Sequence, residues 1–294
     1  MSGFAILGEV LVVGLGWLIL PSYGWKWLVF AAALPVTIIS VPTFLFVDES
    51  PRWLILQGRH DEAEAIIKNM ALVNNSNIVV KLKSSKLDIS DSTFEELISP
   101  SYINTTIAIW STWLFGYFIS TSMFLLVAYI FNTANDDDTC SYDYGYIFLS
   151  VNLEFIGLYI ASKLVNRVDR TMIQFYAYNI VAALIMIFGF LYSNSFMTMS
   201  KVVIMFTKIC VPIAIIITWL QTSESYPTEL RGRGHSIACV MGKLGAFFAV
   251  YWIDDLTVDR MLTGCLILSF FSAIAAVSAH FIPETRYNEF DDRY

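Results

Sequence analysis

Residues 171–192 read TMIQFYAYNIVAALIMIFGFLY and carry no charged side chain. Crossing the hydrocarbon core of a bilayer takes about 20 helical residues, so this stretch is long enough to span a membrane as one helix. Its central part, residues 180–191, does not alternate between polar and apolar residues, whereas membrane β-barrel strands alternate over about 10 residues. Backbone polar groups in lipid must be satisfied within the chain, and a helix is the remaining way to do so. The stretch therefore predicts a transmembrane α-helix.

Seven further apolar stretches of the same kind flank this one, and short polar segments separate them. The eight predicted spans are residues 4–20, 25–47, 105–131, 144–165, 171–192, 202–220, 235–253 and 261–282. The composition agrees, because 56% of the residues are hydrophobic, 15% are charged and the mean hydropathy is +0.62, which lies well outside the range of soluble domains. We therefore predict an all-α, multi-pass membrane protein.

Basic residues fall mainly on one side of this predicted arrangement. Thirteen of the 18 Lys and Arg residues lie on the side of the even-numbered connections and the C-terminal tail, three lie on the opposite side, and Lys208 and Lys243 lie well inside spans. Cytoplasmic connections of membrane proteins are enriched in Lys and Arg, whereas acidic residues, which give this chain its net charge of -7, contribute little to orientation. We therefore expect both termini to be cytoplasmic.

The first span has to be distinguished from a secretory signal. A signal peptide has a basic leader and a cleavage site of small residues, whereas residues 1–20 contain no Lys or Arg and carry Glu9. A membrane helix is therefore expected, and its abrupt start suggests that the ancestral chain continued upstream.

The longest polar connection, residues 48–104, divides the chain into four predicted parts. Residues 1–47 contain two helices, 48–104 form a cytoplasmic loop, 105–282 form a six-helix bundle and 283–294 form a cytoplasmic tail. Within the loop, good helix formers predict a short amphipathic helix at 60–70. Residues 73–92 are rich in Asn, Ser and Lys and predict a flexible linker, and residues 94–100 predict a surface turn.

Three motifs resemble those of major facilitator transporters. The sequence DESPRWL at residues 48–54, with QGR at 57–59, resembles the segment after the sixth helix of that family. The sequence ESYPTELRGRG at 224–234 resembles the loop between helices ten and eleven, and PETR at 283–286 resembles the exit from helix twelve. The first and third motifs are six spans apart, as expected for two parallel six-helix halves. With PSYGWKW at 21–27, the resemblance is strongest to synaptic vesicle 2-related proteins and organic cation and anion transporters.

The resemblance implies that the chain aligns with the last eight of twelve helices. Residues 1–47 would then be the last two helices of the N-terminal bundle and 105–282 the whole C-terminal bundle, while family helices one to four have no counterpart in this sequence. A DRxGR pattern of the family is replaced by NRVDR at 166–170. Two hypotheses follow. One is a secondary transporter that moves a small organic solute, such as an organic anion or another organic ion, by alternating access. The other is a truncated, non-transporting scaffold or regulator of vesicle membranes.

Five residues within the spans are candidates for a solute cavity. An unpaired charge at the bilayer centre costs about 2.5–3.5 kcal/mol on insertion scales, so Glu154, Lys208 and Lys243 need compensation. In the functional hypothesis both lysines hold an anionic solute group, and Glu154 pairs with one of them or takes up a proton; the alternative is a structural ion pair. The resemblance implies that Lys243 corresponds to a basic cavity residue of organic anion carriers. Trp113 and Tyr117 lie on a span that lines the cavity in this family and are candidates for stacking on the solute.

Charged residues outside the spans are candidates for gating. Glu224 and Arg231 flank a turn between two spans, and we expect them to pair with Arg167 when the cytoplasmic side is closed. In rocker-type carriers, such contacts break alternately on the two sides of the membrane. Glu49 and Arg52 of the first motif are the further gating candidates.

Several other chemistries are excluded by the motifs. The sequence HDE at 60–62 lacks the second His of a zinc protease helix, the three His residues are scattered, and no Gly-Lys-Ser/Thr phosphate loop is present. We therefore predict no enzymatic activity, no cofactor, no metal and no nucleic-acid partner. The expected partners are a small-molecule solute and the lipid bilayer, in the plasma membrane or an intracellular vesicle membrane.

Overall fold

The computed structural model describes residues 2–76, 94–132, 142–254 and 260–285. In these residues the chain forms eleven helices, which are α1 (Ser2–Tyr23), α2 (Trp25–Phe46), α3 (Pro51–Leu56), α4 (His60–Val73), α5 (Phe94–Leu97), α6 (Ile103–Ile130), α7 (Tyr144–Leu164), α8 (Arg170–Ser193), α9 (Met197–Glu224), α10 (Thr228–Asp254) and α11 (Met261–His280). Eight of the described helices, α1, α2 and α6 to α11, are long and apolar enough to cross a membrane. The predicted all-α, eight-span architecture is confirmed.

Two spans extend well beyond their predicted limits. Helix α9 covers Met197–Glu224 and α10 starts at Thr228, whereas the apolar pattern predicted 202–220 and 235–253. Apolar composition marks only the part of a helix that lies in hydrocarbon, while backbone hydrogen bonding continues into the polar interfacial layer, which brings the bilayer to about 40–45 Å. The motif residues Glu224 and Arg231 therefore lie on helices and not in a loop.

The chain forms two compact units, and the larger one contains Met1–Ser22 together with Thr93–Tyr294. In this unit α6 packs against α10, α11 and α9, α8 packs against α11 and α9, and α7 packs against α9. The shared core is apolar and includes the fully buried Ile185, Leu268 and Ala276. The division of the chain at residue 47 stays a prediction.

Two glycines allow the closest approaches between helices of this unit. A Cβ atom on Gly245 of α10 would lie 2.0 Å from the carbonyl oxygen of Leu114 of α6, and one on Gly157 of α7 would lie 2.3 Å from the carbonyl oxygen of Ile209 of α9. Real Cβ atoms essentially never approach other atoms below 3.0 Å. Small residues at such positions let helix backbones pack directly in a membrane. Gly157 lies one turn from Glu154, so it sets the spacing of the helices that carry the buried charges.

The predicted surface turn at 94–100 is wrong for Leu97. Phe94–Leu97 forms the one-turn helix α5, and Leu97 is fully buried in a cluster that includes Ile109 and Trp113. Its carbonyl oxygen accepts a hydrogen bond from Thr106 Oγ1 at 3.0 Å. The acidic residues that precede Leu97 in the sequence indicated an exposed segment. One turn of helix is nevertheless enough to direct the single side chain of Leu97 into the core.

The smaller unit, Tyr23–Ser92, contains α2, α3 and α4. Helix α3 starts with a proline, which fits the first helical position because its missing N–H is not needed there. Gly58 follows α3 with φ +75°, a left-handed conformation that glycine adopts without strain. Helix α4 confirms the helix predicted at 60–70. On its exposed face the Arg59 guanidinium forms two hydrogen bonds to Glu62 and lowers the pKa of that carboxyl. Most of the linker predicted at 73–92 lies outside the described residues.

Candidate functional site

A buried ion pair joins α7 and α9 midway along both helices. Lys208 Nζ contacts Glu154 Oε1, and the two residues are only 6% and 7% exposed. Lys208 Nζ also lies 5.5 Å from the centroid of the Phe124 ring of α6, within the range of a cation–π interaction. Each charge thus has a partner of opposite sign, which makes the burial of both tolerable.

A second carboxyl group lies near this pair. Glu9 of α1 is exposed and interacts electrostatically with Glu154 and Lys208. Ionisable side chains of three membrane-spanning helices therefore lie near one another. Glu9 was recognisable in the sequence as a charge within the first span, but nothing in the sequence pattern indicated its partners.

An aromatic cluster joins α6, α9 and α10. Trp113 stacks on Tyr117 with ring centroids 5.4 Å apart, and Trp219 Nε1 donates a hydrogen bond to the Tyr117 hydroxyl at 2.7 Å. The ring of His235 lies 5.3 Å from that of Trp113 and 4.9 Å from that of Trp219. Trp113 is 1% exposed and donates from Nε1 to Thr222 Oγ1 at 2.8 Å. Trp113 is therefore buried within the cluster, Tyr117 is half-buried, and stacking of either ring on a solute stays a prediction.

Lys243 is exposed on α10, which packs against α6. Cys239 precedes it by one turn on the same helix face. A Cβ atom on the neighbouring Gly242 would lie 2.9 Å from the Tyr117 ring. The ammonium group of Lys243 and the phenol of Tyr117 are thus presented by two helices in direct contact.

The structure places the two lysines that were predicted to hold one solute group in different surroundings, and their roles stay predictions. Lys208 is buried and held by Glu154, whereas Lys243 is exposed. The reason is their position on the helices, because Lys208 faces α7 within the bundle and Lys243 does not. Of the two, Lys243 has the accessible ammonium group.

A network of side chains ties the start of α8 to the end of α9 and to the segment after α11. Arg170 Nη1 contacts Glu224 Oε2 and donates a hydrogen bond to Thr285 Oγ1 at 2.7 Å. Thr285 Oγ1 in turn donates to Glu224 Oε2 at 2.7 Å. Glu284 Oε2 accepts from the backbone N–H and the hydroxyl of Thr171 at 3.1 and 2.9 Å, where the N-terminus of α8 favours a carboxylate. We call Arg170, Glu224, Glu284 and Thr285 the Arg170 latch.

The structure pairs Glu224 with Arg170, which was not among the gating candidates, and the pairing with Arg167 stays a prediction. Arg167 is exposed in the turn before α8. Arg170 is the first residue of α8, so its side chain is directed at the end of the adjacent α9. The sequence NRVDR offered two arginines three residues apart, and only the start of α8 decides which one reaches Glu224.

The other gating candidates are spread over both units. Arg231 is partly buried in the first turn of α10, and Glu49 is exposed before α3. The side chain of Arg52 lies outside what the structure describes. Their gating roles stay predictions.

The turn between α9 and α10 contains a buried tyrosine, Tyr226, that was not among the candidate residues predicted from the sequence. Tyr226 is 1% exposed, and its hydroxyl donates to Thr106 Oγ1 at 3.1 Å. A Cβ atom on Gly234 would lie 2.7 Å from its ring. Burial raises the pKa of Tyr226. The motif at 224–234 therefore includes a packing contact, and the signal for it was an aromatic residue beside Pro227 in an otherwise polar segment.

These features together define a class of protein. Eight described helices are long enough to span a membrane, and charged side chains lie among them. Such charges are rare within a bilayer and mark the paths of solutes or ions. Among the described residues, no group of three or more His, Cys, Asp and Glu side chains is placed to hold a metal ion. The fold is that of a multi-pass membrane protein.

Comparison with known proteins identifies the family. The model of the sugar (and other) transporter family matches residues 4–292, and the chain belongs to this major facilitator family. The resemblance predicted from the three motifs is confirmed.

Relatives of the chain include several named transporters. It is 24% identical to organic cation/carnitine transporter 7 of Arabidopsis thaliana, over 83% of this chain and 57% of the relative. It is 24% identical to synaptic vesicle 2-related protein of Xenopus laevis, over 95% and 54%. It is 26% identical to organic cation/carnitine transporter 2 of Homo sapiens, over 96% and 51%. The chain thus spans about half the length of the relatives it matches.

Proposed function

We propose that this protein is a secondary transporter that moves a small organic solute with an anionic group by alternating access. The observation that carries this proposal is the exposed side chain of Lys243 on the membrane-spanning helix α10, which packs against α6, the helix that carries the half-buried Tyr117. Lys243 offers three N–H donors to an anion, and Tyr117 offers a hydroxyl and an aromatic face. The names of the relatives support transport of organic ions.

The sign of the charge at this position favours an anionic group over a purely cationic solute. Two unit charges about 4 Å apart interact by about 4 kcal/mol at an effective dielectric constant of about 20. Lys243 therefore attracts a carboxylate strongly and repels an ammonium group equally. Because two of the relatives are named for organic cations and carnitine, both signs of solute belong in the test.

We expect Lys243→Ala to lower the uptake of organic anions by roughly tenfold to a hundredfold. A hydrogen bond to a charged group contributes about 1.5–3 kcal/mol, and about 1.4 kcal/mol corresponds to a tenfold change. The measurement is the initial rate of uptake of labelled organic anions, organic cations and neutral sugars into cells that express the full-length protein, and into proteoliposomes.

Lys163→Ala is the matched control for this experiment, because Lys163 is exposed at the end of α7 with Nζ 5.5 Å from the Tyr159 ring. Its uptake should equal that of the wild type. Unchanged anion uptake by Lys243→Ala, or selective uptake of cations, would contradict the assigned solute class. A folded protein that moves no solute under any gradient would instead favour the non-transporting scaffold.

We also propose that charged contacts at the predicted cytoplasmic side open and close the transport path. One such contact joins Glu224 and Arg170. The predicted gating residues are Arg231, Arg167, Glu49 and Arg52. Glu224→Gln keeps the shape of the side chain but removes the anion that Arg170 contacts. We expect the free energy of unfolding to fall by about 1.5 kcal/mol, the low end for a charged hydrogen bond, since water reaches the ends of the helices. Uptake per folded molecule should fall as well.

Thermal unfolding of the purified protein and uptake normalised to folded protein separate the two effects of Glu224→Gln. A loss of stability with normal uptake per folded molecule would show that the Arg170 latch only holds three elements of the bundle together. A loss of both is the expected result for a gate.

The orientation and location are part of the same proposal. Residues 1–47 belong to the first half of the transporter and the six-helix bundle forms the second, with the C-terminus in the cytoplasm of a plasma or vesicle membrane. The distribution of Lys and Arg supports this orientation. A C-terminal epitope tag, used in the uptake experiments to measure the amount of protein, should be reached by antibody only after permeabilisation.

A further inference from the structure

A cavity opens on the surface of α10, near the start of the helix. Its volume is about 240 Å³, and it is lined by Gly232, Arg233, Ser236 and Ile237. No heavy atom lies within 4 Å of a Cβ atom built on Gly232, so this glycine leaves the space open. The Ser236 hydroxyl donates to the backbone carbonyl oxygen of Gly232 at 2.8 Å. The hydroxyl hydrogen is thus used within the helix, and the side chain that can donate to a ligand in the cavity is Arg233.

The charge of Arg233 is available to a ligand. Arg233 is exposed, and no described carboxyl group forms an ion pair with it, whereas Arg170 contacts Glu224. A guanidinium group is always charged, and its planar fork of N–H donors matches a carboxylate. The cavity therefore combines an unpaired cation with the apolar side chain of Ile237, which fits an anionic group attached to an apolar body.

The cavity lies on the same face of α10 as Lys243. Gly232 precedes Ser236 by one helical turn, and Ser236 precedes Lys243 by two turns, so the three residues line up along the helix. All three are exposed. The face of α10 that packs against α6 is a different one, because it carries Gly242 and Gly245, where added Cβ atoms would collide with α6. A solute that moves along the exposed face towards Lys243 therefore passes the cavity.

The cavity and Lys243 lie at different depths of the predicted span. Ten residues separate Arg233 from Lys243, which corresponds to about 15 Å along the helix axis. In the proposed orientation α10 begins on the cytoplasmic side, so Arg233 lies near that surface and Lys243 lies near the middle of the bilayer. The sequence of α10 between them contains no Asp or Glu. Along this helix an anion therefore meets no acidic residue between the two cations.

We propose that the cavity at Arg233 is a second anion-binding site, through which an organic anion passes between Lys243 and the cytoplasm. This inference rests on the transport function proposed above. The guanidinium group of Arg233 binds the anionic group of the solute, and Ile237 contacts its apolar part. One small carboxylate cannot bridge two cations that are about 15 Å apart, so the anion is transferred from one to the other.

The position of Arg233 also decides which charge of solute collects at the cytoplasmic end of the path. A cation at the mouth of a cleft raises the local concentration of anions and lowers that of cations. Arg233 therefore selects for the same sign of charge as Lys243 before the solute reaches the deeper site. Loss of Arg233 should weaken binding from the cytoplasmic side, whereas loss of Lys243 should impair transport in both directions.

The site can be tested without transport, by labelling Ser236→Cys in the purified full-length protein in phosphatidylcholine nanodiscs. The measured quantity is the ratio of the labelling rates with an anionic and a cationic methanethiosulfonate reagent, and the wild type is the blank for the native cysteines. We expect Arg233→Ala to lower this ratio by about tenfold, because a nearby cation attracts one reagent and repels the other. Arg233→Lys keeps the charge and should keep the ratio. Arg59→Ala, which removes an exposed arginine of the smaller unit, should leave the ratio unchanged.

Benzoate is the probe for occupancy of the cavity, and benzamide is its uncharged counterpart. Benzoate should slow the labelling of Ser236→Cys, benzamide should not, and Arg233→Ala should abolish the effect of benzoate. Gly232→Leu fills the cavity and should slow both reagents. A rate ratio that is independent of Arg233, or equal protection by benzoate and benzamide, overturns the inference. Protection that requires added phosphatidylserine and is not given by benzoate also overturns it, because the site would then bind a lipid headgroup.

Transport measurements then distinguish this inference from the proposed function. In proteoliposomes, Arg233→Ala should raise the half-saturating concentration of labelled benzoate by about tenfold on the cytoplasmic face, the low end for a charged hydrogen bond, and leave the value on the opposite face unchanged. Transport that requires Lys243 but has the wild-type value on both faces in Arg233→Ala refutes the second site alone. A protein that moves no solute but shows protection by benzoate that depends on Arg233 refutes the transport function and leaves the anion site standing.

Discussion

Lys208→Met is expected to lower the free energy of unfolding by about 3–5 kcal/mol, the cost of removing one partner from a buried ion pair. Glu154 is 7% exposed, and without Lys208 it loses the cation that it contacts. The Glu154 carboxyl must then be neutral to stay in place, although it ionises freely in the unfolded chain at neutral pH. Thermal unfolding of the purified protein in lipid nanodiscs measures the difference.

The double variant Glu154→Leu/Lys208→Met is the matched control, since replacing a whole buried pair by apolar residues is often neutral or stabilising. It should recover most of the lost stability. The deficit of the single variant should also shrink as the pH falls, because the carboxyl groups are then protonated in both the folded and the unfolded states. A double variant as unstable as the single one, or a deficit independent of pH, would contradict this account of the pair.

Gly245→Ala is expected to cost about 3 kcal/mol of stability, the upper end for overpacking. The new Cβ atom would lie 2.0 Å from the carbonyl oxygen of Leu114. That oxygen belongs to the backbone of α6 and cannot rotate away, so α6 and α10 must separate. Because these helices carry Tyr117 and Lys243, solute uptake should fall together with stability. Both quantities are measured on the same purified preparation.

Gly232→Ala provides the comparison within the same helix. No heavy atom lies within 4 Å of a Cβ built on Gly232, and alanine is favoured over glycine in a helix by about 0.8–1.0 kcal/mol. This variant should therefore be as stable as the wild type or slightly more stable. Equal destabilisation by the two substitutions would mean that the close approach at Gly245 is not the cause.

The membrane architecture could be predicted from the sequence because each span is a local property of its own residues. Residues 171–192 are long, apolar and uncharged, and α8 forms over Arg170–Ser193. The predicted positions of the helix ends were less accurate than the predicted number of helices, as α9 shows. Polar residues at the bilayer surface continue the same backbone hydrogen bonding beyond the apolar stretch. The family was also predictable, since its three motifs can be compared with known sequences without any knowledge of packing.

The partners of the charged residues were predictable only in part. The charges within the spans, Glu154, Lys208 and Lys243, were visible in the sequence, but nothing there excluded a pair between Glu154 and Lys243. Glu224 was expected to meet Arg167 and contacts Arg170. A rotation of about 100° per residue around a helix is enough to move a side chain from one neighbour to another, and apolar spans carry no periodic pattern that fixes this rotation.

The sequence by itself determined that this chain forms eight helices long and apolar enough to cross a membrane and that it belongs to a transporter family, because lipid leaves a chain with such apolar segments no other way to satisfy its backbone. Only the tertiary structure decided that Lys208 is neutralised by Glu154 while Lys243 remains exposed on α10. The physical reason is that charge pairing acts over a few ångströms, and those distances are set by the rotation and spacing of helices in contact, which Gly157 and Gly245 fix through direct backbone contact.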